Sequence, residues 1–423
     1  MDYRRMLEGQ PLDKTIVMED ERGLTYRQML KLAEKMEKEI RKKVAMQGKV
    51  FNKNSERENP IYMGKSLYFI EEASIAEELA VFIACQGSNM VPVILAGDLP
   101  EKERQKLESV EVPKEAVMGV LTSGTTGEHK ILFRTYESWA DYFPYQNHVF
   151  SMNEDTVLFA QGSLAFTGNM NLYMALFSVG GTVVATKKFD PRHWFFLIRK
   201  YQVNYIYLIP TKMMALCKIV KEPYKGVKRF VTGSQSFGKK ELQRVKMYFP
   251  EISVVLYYGS SEANYITYLR DWEMTEDNEF VGQAFPEVRV SIRDGIFYVE
   301  SSYGVMGIKC PFCTKDLGRM DEEGGFYFEG RQDDLLNVNG KKCSAYKIEQ
   351  AIREKFGVDS IVTVKKEKDR DVLAVYYECE VLLPPVLQTR KQLREILPEH
   401  EIPKQYIRVE ELPRTDSGKI RRK

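Results

Sequence analysis

Residues 121–130 carry the side chains best suited to bind phosphate. They follow an apolar run at 116–120, which predicts a buried strand, and they contain Gly124, Gly127, four hydroxyl side chains and a final Lys130. Glycine allows tight backbone geometry, so that successive N–H groups and hydroxyls can surround an anion, and lysine adds a charge. The spacing is not GxxxxGK[ST], because the second glycine lies three residues before the lysine. A polar surface turn is the alternative interpretation, and composition alone does not separate the two.

A second strand ends in side chains that could hold a metal ion. Residues 254–258 are apolar or aromatic and lead to Gly259, two serines and Glu262. A carboxylate would repel nearby phosphates unless Mg²⁺ lay between them, because Mg²⁺ binds one or two carboxylates together with phosphate oxygens. The alternative is that Glu262 caps a helix after a turn. The stretch 228–235 has a similar design, and loops at the carboxyl ends of strands are where α/β sheets bind ligands.

Three further polar features lie in the last third of the chain. Asp316 falls in a predicted acidic loop, where an aspartate is usually a turn residue but could also bind both hydroxyls of a ribose. The charged stretch 330–334 begins with glycine and predicts a domain boundary. Lys419 follows a Thr-x-Ser-Gly turn, which would present it at the tip of a loop, although a basic tail is normally only solvated.

Composition argues against several classes of protein. The chain has 62 lysines and arginines and 60 aspartates and glutamates, and this net charge of +2 gives no electrostatic footprint for nucleic acid. No apolar run approaches the roughly 20 residues of a membrane span, and the N-terminus lacks the apolar core of a signal peptide. We therefore expect a cytoplasmic protein with no nucleic-acid partner and no membrane span.

Histidine and cysteine are too sparse for several common catalytic sites. The four histidines form neither an HExxH motif nor a Cys/His cluster, which disfavours a zinc hydrolase. No GxSxG elbow is present, but the spacing of the residues does not exclude a Ser-His-Asp triad. Cys310 and Cys313 have redox-motif spacing, but we interpret them as ordinary strand-end thiols, because an acidic loop rather than a helix is predicted to follow. An enzyme of this composition would depend on lysines and glutamates.

Hydrophobic periodicity predicts an α/β protein with two domains. Helical patterns alternate with buried strands in the first part of the chain, which is typical of layered α/β folds. Short alternating strands with Gly and Asp turns at about 280–330 predict a small β-subdomain. We therefore predict a large N-terminal domain of α/β layered subdomains at 1–332 and a small α+β domain at 333–423. Residues 345–356 are predicted to form an amphipathic helix of the latter.

Together these motifs resemble those of the adenylate-forming acyl-CoA synthetases, the superfamily that includes aryl acid–CoA ligases and the adenylation domains of peptide synthetases. Each motif alone is weak to moderate, but the set is highly specific and extends from about residue 117 to the end. The resemblance implies that ATP activates a carboxylic acid to an acyl-adenylate, that pyrophosphate leaves, and that a thiol then takes the acyl group. It also implies Mg²⁺. The matching motifs are 122–130, 258–262, Asp316 with Thr314 and Gly318, 330–334 continuing to Glu349, and 413–419.

The resemblance assigns roles to individual residues. Lys419 would be the catalytic lysine of the first step, with Glu262 and Lys130 also in the catalytic set. Glu262, helped by a loop hydroxyl such as Thr126, would hold Mg²⁺. The resemblance also implies that the small α+β domain at 333–423 is mobile, with Asp333 as the hinge about which it turns. The residues expected to bind ATP or AMP are Thr122, Ser123, Gly124, Thr125, Thr126, Gly127, Gly233, Ser234, Gln235, Tyr258, Gly259, Ser260, Ser261, Asp316 and Arg331.

Within that set, 122–130 would hold the phosphates and 233–235 would line the adenine pocket. Tyr258 would stack on the base, and Asp316 would bind the ribose with support from Arg331. The chain departs from the family in three places: the first subdomain is shorter than usual, Lys315 replaces a common glycine, and Lys342 stands where arginine is frequent. None of these departures removes a catalytic group.

Residues 162–171 would line the acyl pocket. They contain no aspartate to pair with a substrate ammonium, which disfavours a simple α-amino acid. Phe166 offers an apolar wall, and Thr167 and Asn169 offer hydrogen bonds. This set suits an aryl or hydroxyaryl acid or a short acyl chain. The alternative is that 171–179 is only a core helix.

Gly340 resembles part of the thioester-forming face beside the pantetheine tunnel. We expect CoA to accept the acyl group. An acyl-carrier protein of a siderophore or other secondary-metabolite pathway is the second hypothesis. A nucleotide-binding regulator without catalysis is the third, and the presence of Glu262 and Lys419 argues against it.

Overall fold

The computed structural model describes residues 2–52, 65–97, 99–123, 129–368, 370–378, 382–414 and 420. These residues form a mixed α/β fold, as predicted, and they pack into two compact units. The first unit comprises 1–289 and 300–312, and the second comprises 290–299 and 313–423. The short strands after residue 312 therefore group with the C-terminal part. The division into units reflects packing, whereas the boundary predicted at 332/333 is that of a mobile domain. That boundary stays a prediction.

The first unit contains two sheets and the helices that cover them. Its strands are β1 (Thr15–Glu19), β2 (Arg22–Thr25), β3 (Ser66–Ile70), β4 (Met90–Ile94), β5 (Met118–Ser123), β6 (His129–Arg134), β7 (Val157–Gln161), β8 (Thr182–Thr186), β9 (Tyr205–Tyr207), β10 (Arg229–Gly233), β11 (Ser253–Ser260), β12 (Asn264–Arg270) and β13 (Phe280–Ala284). Its helices are α1 (Tyr3–Glu8), α2 (Tyr26–Asn52), α3 (Ile75–Gln86), α4 (Glu101–Glu108), α5 (Tyr136–Ala140), α6 (Phe143–Phe150), α7 (Thr167–Phe177), α8 (Pro191–Lys200), α9 (Pro210–Cys217) and α10 (Lys239–Tyr248).

The larger sheet of the first unit has the order β13-β12-β11-β10-β9-β7-β8-β1-β2. The six strands from β11 to β1 in this order are parallel, and β12, β13 and β2 pair antiparallel to their neighbours. The smaller sheet has the order β3-β4-β5-β6. Because β7, β9, β10 and β11 are parallel, the loops that follow them all emerge at one edge of the sheet.

Apolar side chains of the larger sheet and of α8, α9 and α10 form one continuous core. Phe159, Ile206 and Phe230 project from the strands, and Trp194 projects from α8. Local sequence begins these helices: Asp190 accepts hydrogen bonds from two backbone N–H groups of α8, and proline occupies the first turn of α8 and of α9. This rigid layer fixes the positions of the strand ends.

The second unit is an α+β assembly with its own core. Side chains of its first helix, including Ile348 and Ile352, pack against Val362 and Val375 of a three-stranded sheet. The helix predicted at 345–356 is confirmed; Ser344 caps its start, and Gly357 ends it at φ +68°. Its elements are β14 (Arg289–Arg293), β15 (Ile296–Glu300), β16 (Phe312–Met320), β17 (Phe326–Arg331), β18 (Leu335–Val338), β19 (Lys341–Ser344), α11 (Ala345–Phe356), β20 (Asp359–Glu367), β21 (Arg370–Glu378), α12 (Val386–Leu393) and β22 (Gln405–Val409).

Candidate active site

The predicted phosphate loop joins two antiparallel strands. β5 runs to Ser123 and β6 begins at His129, with Thr122 opposite Lys130. The loop is therefore shorter than the predicted 121–130, because cross-strand pairing holds both of its ends. Lys130 is exposed. The predicted site residues Gly124, Thr125, Thr126, Gly127 and Lys419 lie outside the described residues.

Helix α4 holds the C-terminal end of this loop. One oxygen of the Glu103 carboxylate lies 2.7 Å from Nδ1 of His129 and accepts a 3.2 Å hydrogen bond from its backbone N–H. These bonds lower the pKa of Glu103. Helix α4 thus fixes the position of His129, the first residue of β6, and Lys130 follows it directly.

Arg134, the last residue of β6, joins this strand to the turn that carries Glu262. The side chain is 1% exposed and donates to the carbonyl oxygens of Ser261 at 2.9 Å and Tyr303 at 2.8 Å. Burial lowers the pKa of Arg134 to about 10, whereas the negative charge of Glu262 acts in the opposite direction. An arginine that ends an apolar strand was a signal that the sequence analysis missed.

The Glu262 turn is also braced from its other side. Val305 donates its backbone N–H to the carbonyl of Glu262 at 2.8 Å, and Ser260 accepts from the N–H of Ala263 through its hydroxyl at 3.1 Å. Gly259 occupies an irregular position in β11, where an added Cβ would lie 2.3 Å from the carbonyl oxygen of Asn264. Hydrogen bonds and close packing therefore hold the backbone of the predicted motif on both sides of Glu262.

The donor set around Glu262 suits Mg²⁺ better than a transition metal. Its carboxylate is half-buried, and within the described part of the chain it makes no hydrogen bond or ion pair. The described residues contain no group of three or more His, Cys, Asp and Glu side chains that could hold a metal by themselves. A single carboxylate therefore fits an ion that takes most of its ligands from phosphate and water, as Mg²⁺ does.

The end of β10 forms the predicted adenine side of the site. Gly233 lies opposite Tyr257, and an added Cβ would meet the Tyr257 ring at 2.7 Å, so that only glycine fits here. Ser234 is exposed with φ +68°, and Gln235 accepts a 3.1 Å hydrogen bond from the N–H of Thr211. This bond joins the first turn of α9, the helix that follows β9, to the loop after β10. Tyr258, the predicted stacking residue, lies next to Gly259 near the end of β11 and is half-buried.

Aromatic side chains occupy the space between the predicted acyl segment and the sheet. The ring of Phe166 stacks on Tyr207 with centroids 6.5 Å apart, and the hydroxyl groups of Tyr207 and Tyr257 lie 2.7 Å apart. Burial raises the pKa of Tyr257 to about 12, so that both hydroxyls stay protonated at neutral pH. Gly168, the second residue of α7, lies so close to Tyr207 that an added Cβ would be 1.9 Å from the tyrosine hydroxyl oxygen.

The two polar residues predicted for the acyl pocket differ in their surroundings. Thr167 is half-buried and lines a small cavity between α7 and the smaller sheet, together with Leu164 and Ala165. Asn169 is buried, and its amide donates to the carbonyls of Gly162 and Ser163, each at 3.1 Å. A direct role of Asn169 in binding the acid stays a prediction.

Asp316 lies in a strand, and the prediction of an acidic loop there is wrong. It is 4% exposed in β16, opposite Arg331 of β17, and Arg331 Nε lies 3.2 Å from its carboxylate. The preceding Lys315 has φ +60°, and the register shifts after Leu317. Both features interrupt the alternation of polar and apolar residues by which a strand is predicted from sequence. Lys315 thus occupies, as a lysine, a left-handed backbone position that suits glycine.

The predicted hinge and thiol residues both lie in the second unit. Asp333 is exposed in a single 3₁₀ turn, Gln332–Asp334, that follows β17. Gly340 has φ +85° in the tight turn between β18 and β19, and its N–H donates to Asn337 at 3.0 Å. Asn339 of the same turn bonds to the backbone of Asp371, which holds the turn on the three-stranded sheet.

A second residue missed by the sequence analysis is Lys212, which lies next to Thr211 in the first turn of α9, the helix that follows β9. It is half-buried, and burial lowers the pKa of its ammonium to about 8. Within the described residues it has no hydrogen-bonding or charged partner. Its sequence gives no signal, because an isolated lysine in a helix is normally exposed.

The comparison with known proteins decides which family has this architecture. Residues 72–299, more than half of the chain, match the family described as AMP-binding enzyme. The chain belongs to this family. The resemblance noted in the sequence is thereby confirmed, and ATP is the nucleotide that such enzymes use.

Relatives of this family member are acid–thiol ligases. The uncharacterized acyl–CoA ligase YhfT of Bacillus subtilis is 26% identical over 385 residues, which cover 84% of this chain and 78% of its own length. A 3,4-dihydroxybenzoate–[aryl-carrier protein] ligase of Bacillus anthracis is 24% identical over 323 residues, with 75% and 76% coverage. The chain is therefore an AMP-forming acid–thiol ligase.

Solved structures share its fold. The o-succinylbenzoate CoA synthetase MenE of Bacillus subtilis superposes with a TM-score of 0.82 at 16% identity, covering all of this chain and 97% of its own. ATP-bound MatB of Rhodopseudomonas palustris gives 0.80 at 17% identity, with 99% and 96% coverage. Among the helices described here, none is both long and apolar enough to cross a membrane.

Proposed function

We propose that this enzyme activates a small carboxylic acid, either aryl or short acyl, and transfers it to the thiol of CoA. The observation that carries the choice of acid is the packing of Phe166, Tyr207 and Tyr257 beside the predicted acyl segment. Three aromatic rings lie together at this edge, and their faces suit a flat ring. On this ground we favour a ring-bearing acid over the long-chain fatty acids that the names of some staphylococcal relatives specify.

The chemistry needs charge and positioning rather than proton transfer. The acid's carboxylate attacks the α-phosphorus of ATP, the bond to pyrophosphate breaks, and the thiol later displaces AMP from the acyl-adenylate. Lys419 would supply positive charge where anionic oxygens crowd, and Asp316 would hold the ribose. Glu262, with Thr126, would hold Mg²⁺, which would neutralise phosphate charge when bound.

Pyrophosphate exchange with a panel of acids tests the first half-reaction. The panel includes benzoate, hydroxybenzoates, short and long fatty acids, and α-amino acids. We expect exchange with aryl or short acyl acids only. Exchange that is fastest with a long fatty acid or with an amino acid would refute the proposed substrate class.

The same preparation then identifies the thiol. Thioester formation is measured with CoA and with a carrier protein that bears phosphopantetheine. A product with CoA supports our proposal. Loading of the carrier protein alone would favour the alternative to which the aryl-carrier ligase of Bacillus anthracis points. Nucleotide binding without exchange for any acid would favour the regulator.

The assignment of Lys419 has its own test. Lys419→Ala should abolish exchange but leave ATP binding within about threefold, because the lysine is proposed to act on the transition state rather than on the bound nucleotide. Lys404→Ala, which removes an exposed lysine of the same unit, is the matched control. If exchange survives in Lys419→Ala, another group provides the charge.

A further inference from the structure

A buried carboxylate of the first unit reaches the segment that we propose to line the acyl pocket. Glu78 lies in α3 and is 2% exposed. Its carboxylate accepts a hydrogen bond of 2.9 Å from the hydroxyl of Ser163 and one of 3.0 Å from the backbone N–H of Leu164. Lys187, which follows β8, places its ammonium 2.7 Å from the same carboxylate.

These contacts fix the path of the chain from Ser163 to Phe166. The Ser163 hydroxyl donates to Glu78 and accepts from the N–H of Ala165 at 3.1 Å, and the Ser163 carbonyl accepts from the N–H of Phe166 at 3.3 Å. Asn169 donates to the same carbonyl from the other side at 3.1 Å. The position of the Phe166 ring on Tyr207 therefore depends on a network that starts at Glu78.

The packing of α3 does not by itself require a carboxylate at position 78. Glu78 is followed by a run of apolar residues, 79–85, that are all buried. An apolar residue at 78 would extend that run without the cost of burying a carboxylate, which is high unless the charge is paired and hydrogen-bonded. The carboxylate is satisfied by Ser163, Leu164 and Lys187, and the first two belong to the proposed acid-binding segment.

We propose that Glu78 is a positioning residue that sets the wall of the acid pocket and thereby the enzyme's selectivity for its acid. This inference rests on the proposed function, since it needs the segment 162–171 to bind the acid. It assigns to helix α3 a part in substrate selection. Glu78 acts through Ser163 and Phe166 and does not itself touch the substrate.

The test compares Glu78→Gln with the wild type. Glutamine has the same shape and can still accept from Leu164, but it has no charge for Lys187 and only one acceptor oxygen. We expect the KM for the acid to rise at least tenfold while the KM for ATP changes less than twofold. The preference for the best acid over a longer homologue should fall by a similar factor. Glu78→Asp, which keeps the charge, should restore part of the selectivity.

Glu37→Gln is the matched control. Glu37 pairs with Arg4 and Arg41 through both carboxylate oxygens, but it lies on α2 and makes no contact with the acid segment. It should leave both KM values unchanged. Thermal unfolding of all variants separates a loss of fold from a change in the pocket, because a purely structural role would alter Tm without altering the ratio of the two KM values.

Two results would overturn the inference, and they are distinguishable. An unchanged acid KM in Glu78→Gln, or equal rises in the KM for acid and for ATP, would refute the role of Glu78 and leave the proposed function intact. A wild-type enzyme that supports exchange with no acid would refute the proposed function and this inference with it.

Discussion

Replacing Lys212 by methionine tests how much a half-buried charge costs this fold. Burial lowers the pKa of this lysine from its ordinary 10.5 to about 8. At 1.36 kcal/mol for each pKa unit, the difference corresponds to at most about 3.4 kcal/mol. Because the side chain is not fully shielded from solvent, we expect about 1–2 kcal/mol. Methionine keeps the length of the side chain and removes the charge.

The sign of the pH dependence follows from proton binding. Above pH 8 the folded protein releases the Lys212 proton, whereas the unfolded chain keeps it up to about pH 10.5. The unfolded state thus binds more protons between these values, so that this lysine's contribution to stability rises with pH in that window. The cost of the charge is fully present below pH 8. Lys212→Met should therefore be more stable than the wild type at pH 7, with a difference that shrinks towards pH 10.5.

Calorimetry at pH 7, 8, 9 and 10 measures this effect. We expect Lys212→Met to raise the Tm of the first unit by about 2–4 °C at pH 7. Lys218→Met is the control, because Lys218 is exposed at the end of the same helix and its replacement should change stability by less than about 0.5 kcal/mol. A lower Tm for Lys212→Met at pH 7, or a difference that does not depend on pH, would refute the reasoning.

Three further substitutions test individual contacts. Arg134→Met should cost about 2 kcal/mol and raise the KM for ATP, because it removes the buried donor to the Ser261 carbonyl in the Glu262 turn. An unchanged KM for ATP, measured by pyrophosphate exchange, would show that this arginine does not support the Glu262 turn. Lys315→Gly should stabilise the second unit by about 0.5 kcal/mol in urea unfolding, since the left-handed conformation costs an L-residue about 1–2 kcal/mol and glycine loses part of that gain as entropy. Gly168→Ala should lower the free energy of unfolding by about 1–3 kcal/mol, because the added methyl group clashes with the Tyr207 hydroxyl. Adding Tyr207→Phe should recover part of this stability, and a double variant whose Tm does not recover would contradict that account.

The strands that carry the site were predictable because their signals are local. Apolar runs that end in small polar residues mark β10 and β11, and the periodicity of 345–356 marks α11 with the observed bounds. Residues of these runs lie within a few positions of one another, so that composition and spacing contain the information. The identity of the family followed from the order of such motifs along the chain.

Asp316 shows where local signals mislead. Its segment alternates poorly, because the left-handed Lys315 and the register shift after Leu317 break the period of two, and the strand was mistaken for a loop. Pairing with β15 on one side and β17 on the other holds this irregular backbone. A single sequence does not show such pairing, because the identity of a neighbouring strand is not encoded in the residues of the strand that it pairs with.

The chain by itself determined the reaction class, through the residue types at strand ends and their order. The tertiary structure decided which other side chains support them. Glu78 meets Ser163 across 85 positions, and Arg134 meets Ser261 across 127. Contacts at such separations depend on how sheets and helices pack, and the energy of a buried charge is set by that packing rather than by its neighbours in sequence. For this reason the sequence around Glu78 and Arg134 does not distinguish them from ordinary charged residues of a helix and a strand. Only the tertiary structure shows that they lie beside the candidate site.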